Sequence, residues 1–141
     1  MEGLEYREGL NAVRIGGGVA GNVISPEAWV EINYRFAPDK SLDEALGYLE
    51  EVFDGYTFEV TDLSPAARPG LDRPLAQEFV NAVGGEAFPK YGWTDVSRFS
   101  ALGIPAVNYG PGDPSLAHRD DERCPAEHLR TCANGLRRWL A

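Results

Sequence analysis

The stretch "GPGDPSLAHRDDE", residues 110–122, holds His118, one of only two histidines in the chain. Neutral imidazole is the commonest protein metal ligand, and an imidazole titrating near neutrality is also the commonest general base. The Gly and Pro residues ahead of it form tight turns that can bring backbone amides and a side chain onto a small site. A zinc site needs three or four ligands, so His118 needs carboxylates or further histidines around it. Asp120, Asp121 and Glu122 follow directly, either as partners or as a solvated charge run. Spacing alone leaves three roles open for His118: metal ligand, general base and solvated loop residue.

Cys124, His128 and Cys132 form a rival set spaced i, i+4, i+8. On a helix rising about 1.5 Å per residue, the outer two stand about 12 Å apart along the axis. Zinc bonds of about 2.0–2.3 Å cannot bridge that distance, so Cys132 reads as a core residue. "GGGVAGN" at 16–22 lacks the Gly-Lys-Ser/Thr ending of a phosphate loop and does not open a helix. No Gly-x-Ser-x-Gly elbow is present. Two arginines remain. Arg35 ends an alternating segment, on the face shared by Glu31 and Asn33, and Arg98 follows Thr94 by one turn. Each is either an ordinary surface arginine, Arg35 pairing with Glu31, or a guanidinium fork suited to a substrate carboxylate.

These residues need elements to hold them. In "NVISPEAWVEINYRF" (22–36), Val30, Ile32, Tyr34 and Phe36 alternate with Trp29, Glu31, Asn33 and Arg35, which predicts a strand with one buried face. "LNAVRI" (10–15) predicts a second strand. Ser41 with Glu44 is a capping box opening a helix with Leu42, Ala45, Leu46, Leu49, Val52 and Phe53 on one stripe. "DGYTFEVTDL" (54–63) reads as a turn and a returning strand. The first part is thus β-β-α-β, too small for a comfortable free domain. "SPAARPG" (64–70) reads as a linker.

Beyond it, 73–83 predicts a helix closed by Gly84-Gly85. Residues 94–103 predict a short helix capped by Thr94 or Asp95 and ended by Gly103. "IPAVNYG" (104–110) predicts a strand. Residues 125–141 predict a helix with Pro125 in its first turn and Leu129, Cys132, Leu136, Trp139 and Leu140 as its apolar stripe. Helix–strand–helix alternation suggests part of a doubly wound layer. The expected organisation is α/β: residues 1–66 as an α+β lobe and 67–141 as part of an α/β layer.

Bulk properties narrow the partners. Apolar residues make up 43% of the 141, enough to predict a real core. The net charge of −9 repels phosphate backbones, which argues against nucleic acid. No apolar run is long enough to span a membrane, and "MEGLEYREGL" has no signal-peptide pattern, so a soluble cytoplasmic chain is expected. Two cysteines are too few for a disulfide scaffold.

Taken in order, "GGVAGNVISPEAWVEINYRFAPD", "YGWTDVSRFSALGIPAVNYGPGD" and "LAHRDDERCPAEHL" resemble the C-terminal half of the co-catalytic zinc amidohydrolases of the aminoacylase and carboxypeptidase kind. The resemblance covers nearly the whole chain. It implies two zinc ions, hydrolysis of a small N-acylated amino acid, and a lid domain that pairs sheet edges in a homodimer. It makes 1–66 a partial lid and 67–141 the closing segment of a doubly wound catalytic domain. It implies that His118, followed by the acidic pair Asp121-Glu122, is a zinc ligand. It further implies that Asn22, Arg35, Gly92, Thr94 and Arg98 contact substrate. Ser25 stands where the family usually has proline.

The family's His-x-Asp, bridging Asp, Glu-Glu pair and carbonyl-polarising lid histidine have no counterpart in these residues. "HRD" at 118–120 shares only letters with His-x-Asp. The chain is therefore expected to be a fragment carrying one zinc ligand and no catalytic residue, inactive by itself. Two alternatives stay open: another deacylase or peptidase of the same family, such as an acetylornithine deacetylase or a dipeptidase, and a non-catalytic dimerisation module.

Overall fold

The computed structural model describes residues 1–141. Two strands and four α-helices follow one another: β1 (Gly9–Gly17), β2 (Ala28–Arg35), α1 (Leu42–Val52), α2 (Pro74–Val83), α3 (Val96–Ala101) and α4 (Ala126–Leu140), with a 3-10 turn at Pro114–Leu116. The mixture of helices with a small sheet is the α/β class predicted. The residues gather into two compact units, Glu5–Ala66, and Ala67–Ala141 with Met1–Leu4. Glu2 ties the N-terminal residues to the latter unit: its carboxylate accepts the Leu71 N–H at 2.8 Å and lies 3.8 Å from Arg68.

In Glu5–Ala66, β1 and β2 pair antiparallel, with Gly9 opposite Arg35 and Gly17 opposite Ala28. The ladder slips between Ala12 and Arg14, leaving Val13 as the extra residue of a bulge. The slip sets Arg14 opposite Glu31, guanidinium to carboxylate 3.4 Å. Glu31 is therefore a partner of Arg14. Ile32 and Tyr34 are half-buried while Asn33 and Arg35 are exposed, as the alternation predicts, but Val30 of the predicted buried face is 48% exposed and Glu31 is half-buried. Tyr34 packs 5.2 Å from Tyr48 of α1 and 5.7 Å from Phe36, ring centre to ring centre, so α1 covers this face. The helix opens with the predicted capping box. Glu44 N–H donates to Ser41 Oγ at 3.2 Å, and Ser41 N–H donates back to Glu44 Oε2 at 2.8 Å.

Glu8 ties several parts of this unit together. Its carboxylate accepts from the Ala37 N–H at 3.0 Å, Lys40 Nζ at 2.6 Å and Tyr34 Oη at 3.1 Å. Burial pushes the Glu8 carboxyl up, but those three hydrogen bonds bring it below its ordinary 4.5. Glu44 is lowered by the Ser41 N–H and hydroxyl. Lys40 is raised, first by its hydrogen bond to Glu8. Lowered carboxylates contribute stability above their unfolded pKa and lose it as pH falls through the folded value; a raised lysine contributes below its unfolded pKa and loses it as pH rises through the folded one. Thermal midpoints of this unit should be flat from about pH 5 to about pH 10 and fall on both sides. Glu8→Gln should flatten part of each limb. Melts whose pH dependence is the same with and without Glu8 would contradict this.

Residues 56–63 form no strand, contrary to the returning strand expected in 54–63, and Tyr56 is 78% exposed. Alternation makes a face, but a strand also needs a backbone ladder, and the only sheet holds β1 and β2 alone.

In the other unit, α2 starts with Pro74 and ends at Gly84, whose φ of 71° suits glycine. It packs on α4, where Phe79 meets Trp139 edge to face at 5.1 Å and Tyr109 at 5.2 Å. The contact is possible because Gly135 is buried there. A Cβ at Gly135 would stand 2.6 Å from Tyr109 Oη and 3.3 Å from the Val83 Cα. Cys132 and Trp139 are half-buried as predicted, but Leu129, Leu136 and Leu140 of the predicted stripe are 56%, 39% and 75% exposed. The buried seam of α4 runs through its glycine, which a hydrophobic pattern does not register. Residues 104–110 form no strand, again for want of a ladder. α3 forms without a side-chain cap. Asp95 has helical backbone angles, so its carboxylate is turned away from the cap position.

The apolar content does not become a large core. Ala45 and Ala76 are the buried apolar residues, and no large side chain is fully enclosed. The accessible surface is 10899 Å² for 15.4 kDa. Surface scaling gives about 7,000 Å² for one protein of that mass, and about 9,000 Å² if the two units count as separate proteins. Each unit is too small to enclose its own apolar residues.

Candidate functional site

The loop after 104–110 carries the first candidate. Gly112 takes a φ of 94°, and Asp113 caps the 3-10 turn by accepting the Ser115 N–H at 2.9 Å. The Ser115 hydroxyl first, and then that backbone contact, lower the Asp113 carboxyl. Two further turns follow, Arg119 N–H to Leu116 O at 3.1 Å and Glu122 N–H to Arg119 O at 3.0 Å. His118 lies inside the first of them with a φ of 66°, exposed. Its N–H donates to Glu122 Oε2 at 3.0 Å.

The acidic run that follows His118 divides by task. Asp121 takes Arg119 at 3.0 Å and Arg123 at 3.8 Å, while Glu122 turns back to the His118 backbone. No three His, Cys, Asp or Glu side chains of the chain converge on one point. That covers the Cys124, His128 and Cys132 set. Cys124 lies outside α4 and is exposed, and Cys132 is half-buried beside the Tyr109 hydroxyl. Burial first, and then Cys132, push the Tyr109 hydroxyl up.

Gly92, Thr94 and Arg98 come together in one segment around α3. Thr94 lends its carbonyl to the Ser97 N–H at 3.1 Å, and its hydroxyl accepts from Asn108 Nδ2 at 3.2 Å. The Arg98 guanidinium lies 5.7 Å above the Trp93 ring and 3.7 Å from Asp95. A guanidinium over an indole face gains cation–π attraction, and its N–H groups can still meet a carboxylate. Ser97, 3% exposed, has no hydrogen-bond partner for its hydroxyl in the chain. Trp93 and Asn108 were not singled out from sequence. Asn108 was legible as a polar residue inside the apolar "IPAVNYG"; Trp93 had no such signal.

Asn22 and Arg35 belong to Glu5–Ala66, apart from the other four in chain grouping. Asn22 lies on the exposed loop between β1 and β2. That loop is stapled by Ser25, whose Oγ accepts the Gly18 N–H at 2.9 Å and donates to the Glu27 carbonyl. So the serine found where the family usually has proline acts as a hydrogen-bonded closure. Arg35 ends β2, exposed, and its Nε donates to Asn33 Oδ1 at 3.0 Å. Its cross-strand neighbour is Gly9.

Residues 2–141 match Peptidase family M20/M25/M40, a family of metal-dependent hydrolases, and the chain belongs to it. The relatives narrow the comparison. The chain is 57% identical over 142 residues to the Mycobacterium tuberculosis protein named as succinyl-diaminopimelate desuccinylase DapE, covering 99% of this chain and 40% of that protein. It is 47% identical over 147 residues to succinyl-diaminopimelate desuccinylase of Corynebacterium glutamicum, covering 100% of this chain and again 40% of the relative. N-acetyl-L-citrulline deacetylase of Xanthomonas campestris is 28% identical over 142 residues, covering 93% of this chain and 38% of that enzyme. The chain thus spans about 40% of the length of the first relatives it matches. No helix is long and apolar enough to cross a membrane.

The metal implied by the family has one candidate ligand here. His118 fits it: the side chain is an exposed imidazole on a loop whose backbone is fixed by Glu122, leaving the ring to the outside.

Proposed function

We propose that this chain is the part of a zinc-dependent succinyl-diaminopimelate desuccinylase that binds substrate carboxylates and supplies one zinc ligand. The observation that carries this is the 57% identity sustained over 99% of the chain. The reaction is hydrolysis of the amide of N-succinyl-LL-2,6-diaminopimelate to succinate and diaminopimelate, within lysine and diaminopimelate biosynthesis. Zinc, when bound, supplies Lewis-acid chemistry. The chain's own residues do the rest of what is proposed here. Arg35 and Arg98 hold substrate carboxylates, each charged hydrogen bond contributing about 1.5–3 kcal/mol. Asn22, Gly92 and Thr94 line the substrate, and His118 holds one of two zinc ions. The protein is cytoplasmic, and its copies pair through the open edges of β1 and β2, since unpaired edges seek partners.

The test is a substrate panel on the full-length gene product with zinc. The kcat/KM for N-succinyl-LL-2,6-diaminopimelate should exceed that for N-acetylornithine and N-acetylcitrulline by about tenfold or more, and the protein should sediment as a dimer. The 141-residue chain alone should release no succinate, because His118 has no second and third ligand among its residues. Preference for an N-acetyl substrate would move the protein to the deacetylases of the family. Measurable turnover by the 141-residue chain alone would refute the assignment of His118 as its single ligand.

A further inference from the structure

The sequence around His118 holds a second device, in the residue four positions later. His118 is one of two non-glycine residues with positive φ, at 66°. L-residues avoid this region, although histidine enters it more readily than most. Something must hold it there, and the only contact on the His118 backbone N–H is Glu122 Oε2 at 3.0 Å. That is a charge-assisted hydrogen bond from a backbone donor. The alternative claims on Glu122 are absent because Asp121 takes both neighbouring arginines, Arg119 at 3.0 Å and Arg123 at 3.8 Å. The Glu122 N–H meanwhile donates to Arg119 O at 3.0 Å, so the same residue closes the turn with its backbone and pins His118 with its side chain.

Turning φ from left-handed to ordinary values swings the Cα–Cβ bond, and with it the imidazole, away from its present direction. A metal ligand tolerates little of this, because a zinc–nitrogen bond is fixed at about 2.0–2.1 Å.

We infer that Glu122 is a positioning residue for zinc: by holding the His118 backbone in its left-handed conformation it aims the imidazole at the metal. The inference rests on the proposed role of His118 as a zinc ligand. Groups beyond the ligands commonly act through the far nitrogen of the ring; here the hold is on the backbone, and it leaves both ring nitrogens to the metal and its surroundings.

The test is zinc affinity by chelator competition on the full-length gene product and its variants, with far-ultraviolet circular dichroism of the metal-free forms. Glu122 is exposed, so its variants should keep the wild-type spectrum. Glu122→Ala should weaken zinc binding about tenfold or more. Glu122→Gln keeps an oxygen at the same reach and should stay within about threefold of wild type. Glu122→Asp keeps the charge but is one methylene short, so it should resemble Glu122→Ala. His118→Ala should weaken zinc further than any of them. If His118→Ala weakens zinc and Glu122→Ala does not, the positioning role is overturned and the ligand assignment stands. If Glu122→Gln is as weak as Glu122→Ala, or Glu122→Asp as tight as wild type, charge near the site matters and the hydrogen bond does not. If His118→Ala leaves zinc affinity unchanged, the ligand assignment itself fails, and the role of Glu122 with it.

Discussion

Arg35→Ala in the full-length gene product should lower kcat/KM about 100-fold or more while changing stability by less than about 0.5 kcal/mol. The two halves of that expectation come from the same geometry. Arg35 stands on the exposed side of β2, opposite Gly9, and its neighbours Tyr34 and Phe36 carry the packing. Removing it empties no core. What it loses is a planar, two-pronged contact to a carboxylate, worth most where binding strips water from both partners. Arg35→Lys keeps the charge without the fork and should recover only part of the loss. If Arg35→Ala holds kcat/KM within about twofold, the role assigned to Arg35 is wrong, and Arg98, aligned on the Trp93 ring, becomes the better carboxylate partner.

Gly135→Val should cost about 2 kcal/mol, read as a lower urea midpoint at unchanged slope. Valine is a better helix former than glycine by a few tenths of a kcal/mol, so an exposed glycine would gain from the change. Here the added Cβ would meet Tyr109 Oη at 2.6 Å and the Val83 backbone at 3.3 Å. Tyr109 cannot simply swing aside, because its ring is edge to face with Phe79, which in turn contacts Trp139. Overpacking of this kind typically costs about 1–3 kcal/mol and outweighs the propensity gain. A Gly135→Val protein as stable as wild type would mean that α2 and α4 are not packed as closely as described.

Local signals were legible in the sequence, and non-local ones were not. The Ser41–Glu44 box, the alternation on β2 and the helical stripes of 73–83 and 125–141 are set by neighbours within one or two turns, and each has its element in the structure. The segments 54–63 and 104–110 have strand composition, but strand formation depends on a ladder partner distant in sequence, which composition cannot supply. The bulge at Val13 is of the same kind. It depends on how β1 meets β2, and it brings Arg14 to Glu31. Gly135 was invisible for another reason: a hydrophobic pattern scores side chains, and the closest approach in α4 is made where there is none. An apolar content of 43% overstated the core, because it counts residues whose burial needs more surface around them than either unit provides.

The candidate site divides the same way. Residue types and order pointed by resemblance to His118, Asn22, Arg35, Gly92, Thr94 and Arg98. The contacts that orient them, Asn108 on Thr94, Trp93 beneath Arg98, Ser25 across the Asn22 loop and Glu122 on His118, became visible only in three dimensions.

Zinc-edge anomalous diffraction from crystals of the full-length gene product addresses the site most directly. The anomalous map should show a zinc ion about 2.0–2.1 Å from a ring nitrogen of His118, a bonding distance. A zinc ion coordinated entirely by other residues, with the His118 ring beyond bonding distance, would contradict the site proposed for this chain.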